Sequence, residues 1–287
     1  MSLRICIVAD IHHGAPSLTK RGDAALTLME EFANLVEAAK PDMVIDLGDR
    51  ISDIDHETDL RLEREIAAAF APIRAPVHHL NGNHDRDHLG VAENEEILGV
   101  SLGHELIDAG DWQIALWRAD SKIHHGPEHV GFDLPEEDLI WLSQVMQSAR
   151  KPTLVASHAP VSDHSQIGNY YFERNAAVST YPQAARVRAA LAQARVPVVC
   201  LAGHVHWNTV TNVDGIFHLT QQSLTESFTT AGEPAGAMGI IELGETVDWR
   251  VTGRDPFAAT LTPAPGRWTP PLPPFAEMRR FAERLKR

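Results

Sequence analysis

Five short clusters of metal-type donors follow one another along the chain: Asp10-Ile11-His12, Gly48-Asp49, Gly82-Asn83-His84-Asp85, His158, and Gly203-His204-Val205-His206. Each comes directly after an apolar run, so the donors are expected at the ends of strands. A fold that uses them together must bring distant strand ends to one place. Taken singly, Asp10 could cap a loop, Asp49 could begin a turn, and Asn83 could take a left-handed turn beside Gly82. The ordered set points instead to oxygen and imidazole ligation of first-row divalent ions, with Mn, Fe, Co and Zn equally suited to these donors.

The pattern around the clusters predicts an α/β fold. Leu3–Ala9 reads as a buried strand, and Ala24–Ala39 carries Leu28, Phe32, Leu35 and Val36 at helical spacing before Pro41 stops it. Asp42–Leu47 reads as a second strand, Leu60–Phe70 as a helix, and Pro76–Leu80 as a third strand. This β-α-β-α-β order implies parallel pairing with right-handed crossovers. Further on, strands are expected at Trp112–Trp117, Thr153–Ser157 and Val196–Ala202, with helices at Glu136–Ala149 and Gln183–Ala194. Mostly strands and turns then follow: Trp207–Val213, Ile216–Leu219, Gly239–Leu243 and Val247–Thr252, with turn signals at Asp214-Gly215 and Gly244-Glu245. Two sheets face to face with helices outside are the expected result.

From Pro256 onward the prolines predict an extended strap, then a short helix over Phe275–Leu285. The reading is therefore one domain over residues 1–255 and an appendage over 256–287. Phe275, Met278, Phe281 and Leu285 fall at helical spacing, which makes the last helix the candidate element for homo-oligomer contact.

The formal net charge of −14 over 287 residues argues against a nucleic-acid polymer as partner. A small anionic substrate remains compatible if bound cations reverse the sign locally. Cys6 and Cys200 both lie in strand-like apolar runs and read as buried free thiols, which suits a reducing cytoplasm. Leu3–Ala9 is too short for a signal segment, and no run approaches a membrane span, so a soluble cytoplasmic protein with no membrane partner is expected.

The series D-x-H, G-D, G-N-H-D, H, G-H-x-H over residues 10 to 206 is similar to the signature of the calcineurin-like metallophosphoesterases, nearest to class III cyclic-nucleotide phosphodiesterases and glycerophosphodiesterases. The resemblance implies a four-layer αββα sandwich of two mixed sheets with a binuclear metal site at the strand ends. It implies that Asp10, His12 and His206 hold one ion, that Asn83, His158 and His204 hold the other, and that Asp49 bridges them. The ions would be divalent or mixed-valence Mn, Fe, Zn or Co. The implied activity is hydrolysis of a small phosphodiester by a metal-bridging hydroxide. His84 stands outside the ligand set, placed to give a proton to the leaving oxygen or to bind the phosphoryl oxygens. Asp85 could orient its imidazole.

Departures narrow the reading. Ser52 stands where purple acid phosphatases carry a tyrosinate ligand, and His84 stands where lipid-A pathway pyrophosphohydrolases usually carry Arg. Arg50 replaces a commonly apolar residue and is a candidate contact for a substrate anion, or else a solvated loop residue. Substrate choice is expected from the long loop Ala159–Tyr181, where Asn169, Tyr171 and Arg174 are candidate contacts together with His164. The loop Asp120–Leu134, with His124, His125 and His129, reads as a distal edge. A phosphomonoesterase or nucleoside-diphosphate-ester pyrophosphatase is the nearest enzymatic alternative, and a non-catalytic scaffold of the same fold the alternative from another class.

Overall fold

A computed structural model of the chain describes residues 2–278 apart from 128, 129 and 276. In chain order the strands are β1 (Leu3–Val8), β2 (Met43–Asp46), β3 (Val77–His79), β4 (Glu105–Ala109), β5 (Trp112–Leu116), β6 (Ile123–His125) and β7 (Val130–Phe132). Then come β8 (Thr153–Ser157), β9 (Val198–Ala202), β10 (Thr209–Val213), β11 (Ile216–Thr220), β12 (Met238–Leu243), β13 (Val247–Thr252) and β14 (Phe257–Leu261). The helices are α1 (Ala25–Ala39), α2 (His56–Phe70), α3 (Val91–Leu98), α4 (Glu136–Ser148) and α5 (Ala184–Leu191).

Two six-stranded mixed sheets form, ordered β14-β13-β12-β1-β2-β3 and β10-β11-β9-β8-β5-β4. Alternation within the strands makes the layers. On β1, Ile5 and Ile7 face the second sheet and pack with Leu154, Leu201 and Trp249, while Cys6 and Val8 face α1 and pack with Met29 and Phe32. On the other side, Val155 and Cys200 pack against Leu142 and Met146 of α4 and Val187 and Leu191 of α5. The result is helices, sheet, sheet, helices, the α/β four-layer sandwich with two mixed sheets. Cys6 and Cys200 are both buried and free.

β14 and the β6–β7 hairpin differ from the sequence reading. β14 extends the first sheet past residue 255, pairing antiparallel with β13, so the strap begins later than Pro256. The reason is local: Phe257-Ala258-Ala259-Thr260-Leu261 has no proline and can complete a ladder with β13. The strap then touches the body where Pro265 bridges Pro197 and Arg267 N–H donates to Asp214 at 2.6 Å. The segment read as a distal loop instead forms the β6–β7 hairpin, and Ile123 from it reaches the site cavity. The expected helix over Phe275–Leu285 lies, beyond Met278, outside the described residues, as does His129. Among the described residues no helix is long and apolar enough to cross a membrane.

Candidate metal centre

β1, β2 and β3 run parallel to one another in one sheet, and β8 and β9 do so in the other, so within each sheet the carboxyl ends of these strands lie side by side. In open parallel sheets ligands collect beyond these carboxyl ends. The loops that leave them are stitched together by backbone bonds: Asp10 N–H to Gly48 O at 3.0 Å, His12 N–H to Asp49 O at 2.9 Å, and Gly203 N–H to His158 O at 2.9 Å. His158 Nδ1 crosses between the sheets to Leu47 O at 2.8 Å.

Local backbone conformation aims the donors. Asp10, His12, Asp49, His204 and His206 all have positive φ, between 48° and 67°. The D-x-H and H-x-H segments are therefore left-handed turns at alternate residues. Non-glycine residues in this region cost on the order of 1–3 kcal/mol each, a strain that collects where function needs it. Close approach is made by glycine. A Cβ on Gly203 would stand 2.7 Å from Asp10 Oδ2, and one on Gly82 would collide with the Asp49 carboxylate.

Two donor groups result. Asp10, His12, Asp49 and His206 place one donor atom each within 4.8 Å of one another, and Asp49, His158 and His204 do the same. Asp49 belongs to both. Asn83 joins the second group, with Oδ1 at 3.3 Å from His158 Nε2. All these residues except Asn83 are almost fully buried.

On three of the four histidines the ring nitrogen pointing away from the centre is occupied, while His12 Nδ1 is buried with no partner. His158 donates to Leu47 O, His204 Nε2 to Val178 O at 2.8 Å, and His206 Nδ1 to Glu226 Oε2 at 2.8 Å. That fixes each tautomer and leaves the facing nitrogen as a lone pair. His204 Nδ1 is buried with no partner, as a ligand atom awaiting a cation would be. Burial lowers the His12 and His206 pKa values and takes that of His204 to about 3, so the rings are neutral. Burial, then the Asp49 charge, pushes Asp10 well above the usual carboxylate range. Burial alone would also raise Asp49, but His158, His84 and the backbone N–H of His84 hold it below that range. Adjacent buried carboxylates and neutral imidazoles form a donor set that fits divalent cations.

His84 sits beside this set. Its backbone N–H donates to Asp49 Oδ1 at 2.8 Å, and its ring Nδ1 bonds Asp53, leaving Nε2 toward a cavity of about 260 Å³. The Lys20 ammonium lies 3.4 Å from that Nε2 and lines the same cavity. Burial pulls Lys20 below the usual lysine range, against the raising effect of Asp49, Asp53, Glu226 and Asp10.

Several candidates do other work. Asp85 does not meet the His84 ring. Fully buried, its carboxylate accepts the N–H groups of Asp49 at 2.9 Å, Arg50 at 2.8 Å and Gly82 at 2.8 Å, so it ties the Gly48-Asp49 loop to the Gly82-Asn83 loop. Arg50 is buried and cannot reach a substrate anion. It pairs with Glu63 at 2.5 Å and Asp46 at 3.1 Å and donates to Leu80 O at 2.5 Å. Asn169 ties its loop to the His204–His206 turn, donating to Val205 O at 2.7 Å, and accepts from Tyr171 and Phe172 N–H. His164 is engaged by Ser162 at 2.7 Å and Gln166 at 3.2 Å, away from the cavity lining. Arg174 is exposed and outside that lining.

Tyr171 does line the cavity. Its ring packs edge-on to His206 at 5.3 Å and its hydroxyl bonds Thr19 at 2.8 Å. Sequence reasoning missed Lys20, Asp53 and Glu226, none of which belongs to a spaced donor motif. Only the position of Asp53 shortly after Asp49 offered a signal.

Residues 3–208 match the family model described as calcineurin-like phosphoesterase. No curated protein matches the chain. Among solved structures it is similar to a dimetal phosphatase from Danio rerio, with TM-score 0.72 and 16% identity over 91% of this chain and 98% of that one. It is also similar to GAP50, the anchor in the inner membrane complex of Plasmodium, with TM-score 0.55 and 11% identity over 98% and 94%. A phosphopantetheinyl hydrolase from Mycobacterium tuberculosis gives TM-score 0.50 and 15% identity over 80% and 93%. At these identities the likeness is one of fold.

Proposed function

The chain belongs to the calcineurin-like phosphoesterase family, and from that premise we propose that it is a metal-dependent phosphoric ester hydrolase acting on a small phosphodiester. The observation that carries the reading is Asp49, shared by both donor groups with His84 anchored to its carboxylate at 2.8 Å. Asp10, His12 and His206 would hold one ion and Asn83, His158 and His204 the other, with Asp49 common to both. Two divalent ions, of Mn, Fe, Zn or Co by donor type, supply Lewis acidity and an activated water when bound.

The side chains around them divide the remaining tasks. Asp53 fixes the His84 ring through Nδ1, so Nε2 is the atom turned to the cavity, where in its protonated form it delivers a proton to the leaving ester oxygen. Lys20, the one Lys or Arg among the described residues of the cavity lining, stands beside that atom, where it meets a non-bridging phosphoryl oxygen. Apart from Lys20, His84 and the ligand residues, the wall consists of Ile123, Tyr171, Phe172 and Val178, with Asn175 as the polar exception.

That wall favours a diester. A second, uncharged ester substituent gains by burial against it. A second phosphate would meet no second Lys or Arg among the described residues there, which disfavours a pyrophosphate. The scaffold reading asks for lost donors, and every donor position is filled.

A metal-reconstituted screen over cyclic nucleotides, glycerophosphodiesters, nucleoside diphosphate esters and simple monoesters, ranked by kcat/KM, tests this. A diester is expected first. A monoester or pyrophosphate in first place overturns the substrate class, and ion binding without hydrolysis of any of them favours the scaffold.

A further inference from the structure

The segment after β11, Gln221–Ser227, is buried throughout although Leu224 is its one apolar residue. Burying so many polar groups is costly unless each finds a partner. The Gln221 side-chain amide has none, and several of the partners of the other residues lie in the ligand loops. Leu224 N–H donates to Ala9 O at 3.0 Å, Ser223 Oγ to Asp10 O at 2.6 Å, and Thr225 Oγ1 to Ile11 O at 3.0 Å. The residues flanking Lys20 are held by the same segment, Arg21 N–H to Thr225 O at 3.0 Å and Ser227 Oγ to Thr19 O at 2.5 Å. This strap therefore braces the Asp10–His12 turn and the Lys20 turn together.

Glu226 is its charged member, and its two oxygens have separate duties. Oε1 accepts Ser227 N–H at 2.7 Å and Phe228 N–H at 3.0 Å, which fixes the carboxylate. Oε2 receives His206 Nδ1 at 2.8 Å. The two histidines of the other donor group have neutral acceptors instead, Leu47 O for His158 and Val178 O for His204. A carboxylate acceptor fixes the tautomer as a carbonyl does, and in addition makes the imidazole a stronger donor to a cation.

We propose that Glu226 is a positioning residue that strengthens the ion site of Asp10, His12 and His206 through His206, and leaves the site of Asn83, His158 and His204 unaffected. The proposal rests on the two-ion reading of the centre. Nothing in the spacing of the donor clusters points to Glu226, because its partner lies in a different turn.

Two measurements test it. Nitrogen-resolved NMR of the metal-free wild-type protein is expected to show His206 protonated on Nδ1, His158 on Nδ1 and His204 on Nε2. A His206 protonated on Nε2 overturns the proposal, and this readout needs no variant. Calorimetric titration with Mn²⁺ is expected to show that Glu226→Gln weakens one of two ions by about 10–100-fold and leaves the other as in wild type, with Glu226→Asp recovering part of the loss. Equal weakening of both ions, or of neither, overturns it. A wild-type chain that binds no ion sinks the two-ion reading itself, while the tautomer of His206 still decides what Glu226 does.

Discussion

The Nε2 atoms of His12 and His206 face one another at 2.9 Å although 194 positions separate them in the chain. Burial keeps both rings neutral, and Glu226 holds the proton of His206 on Nδ1, so a lone pair of His206 converges with His12 Nε2, Asp10 and Asp49 on one point. A cation between such donors relieves their mutual repulsion. Chelator treatment is therefore expected to lower the thermal midpoint, and Mn²⁺ at 100 times its Kd to restore about 2.7 kcal/mol per site. A midpoint indifferent to chelator and metal would contradict the donor assignment.

Asp49 serves both donor groups, so its loss should be felt twice. Asp49→Ala is expected to remove most of both ions, measured by elemental analysis after gel filtration, whereas His84→Ala retains them. Unchanged metal content in Asp49→Ala would rule out a shared carboxylate.

The Asp53–His84 pair predicts a dependence on the leaving group. His84→Ala should lower single-turnover rates on an alkyl diester by about 10²–10⁴-fold, and less on an activated aryl diester, whose leaving oxygen needs less protonation. Asp53→Asn should follow the same trend with a smaller loss, since the ring survives but loses its anchor. Equal losses on both substrates would favour electrostatic stabilisation over proton transfer.

Lys20→Met removes the cation nearest His84 Nε2 and keeps the apolar stem. A charged hydrogen bond of about 1.5–3 kcal/mol corresponds to a loss of about 10–100-fold in kcat/KM, with metal content unchanged. An unaltered kcat/KM would place the substrate elsewhere in the cavity.

A last prediction concerns stability and pH. His218 on β11 is buried, and burial followed by His164 and Arg188 lowers its pKa from 6.5 to about 3. The unfolded chain takes up its proton below about pH 6.5 while the folded chain does not, so stability falls as pH drops from 6.5 toward 3. In metal-free protein, His218→Leu should flatten the loss between pH 7.5 and 5 by up to about 2 kcal/mol. Parallel stability curves for wild type and variant would refute it.

Much of this architecture is readable from the chain because its signals are local. Ile5 and Ile7 alternate with Cys6 and Val8 in the manner of a strand buried on both faces, and each donor cluster follows such a run. The strap was the less legible part, since the prolines after 262 obscure the proline-free run that pairs as β14. Arg50 shows the limit most clearly. In sequence it is a charged residue in a ligand loop, and its burial follows from Glu63 on α2 and Asp46 on β2, whose arrival at that point no local pattern announces.

By itself the sequence determined the sandwich of two sheets, the order of donor clusters at strand ends and the kind of chemistry those donors support. Periodicity and donor type are properties of neighbouring residues, and they survive without knowledge of the fold. Only the tertiary structure decided that Asp85 ties two ligand loops, that Asp53 holds His84, and that Lys20 and Glu226 stand at the centre. The role of a buried polar side chain is set by whichever distant group satisfies it, and that pairing exists only once the strand ends have met.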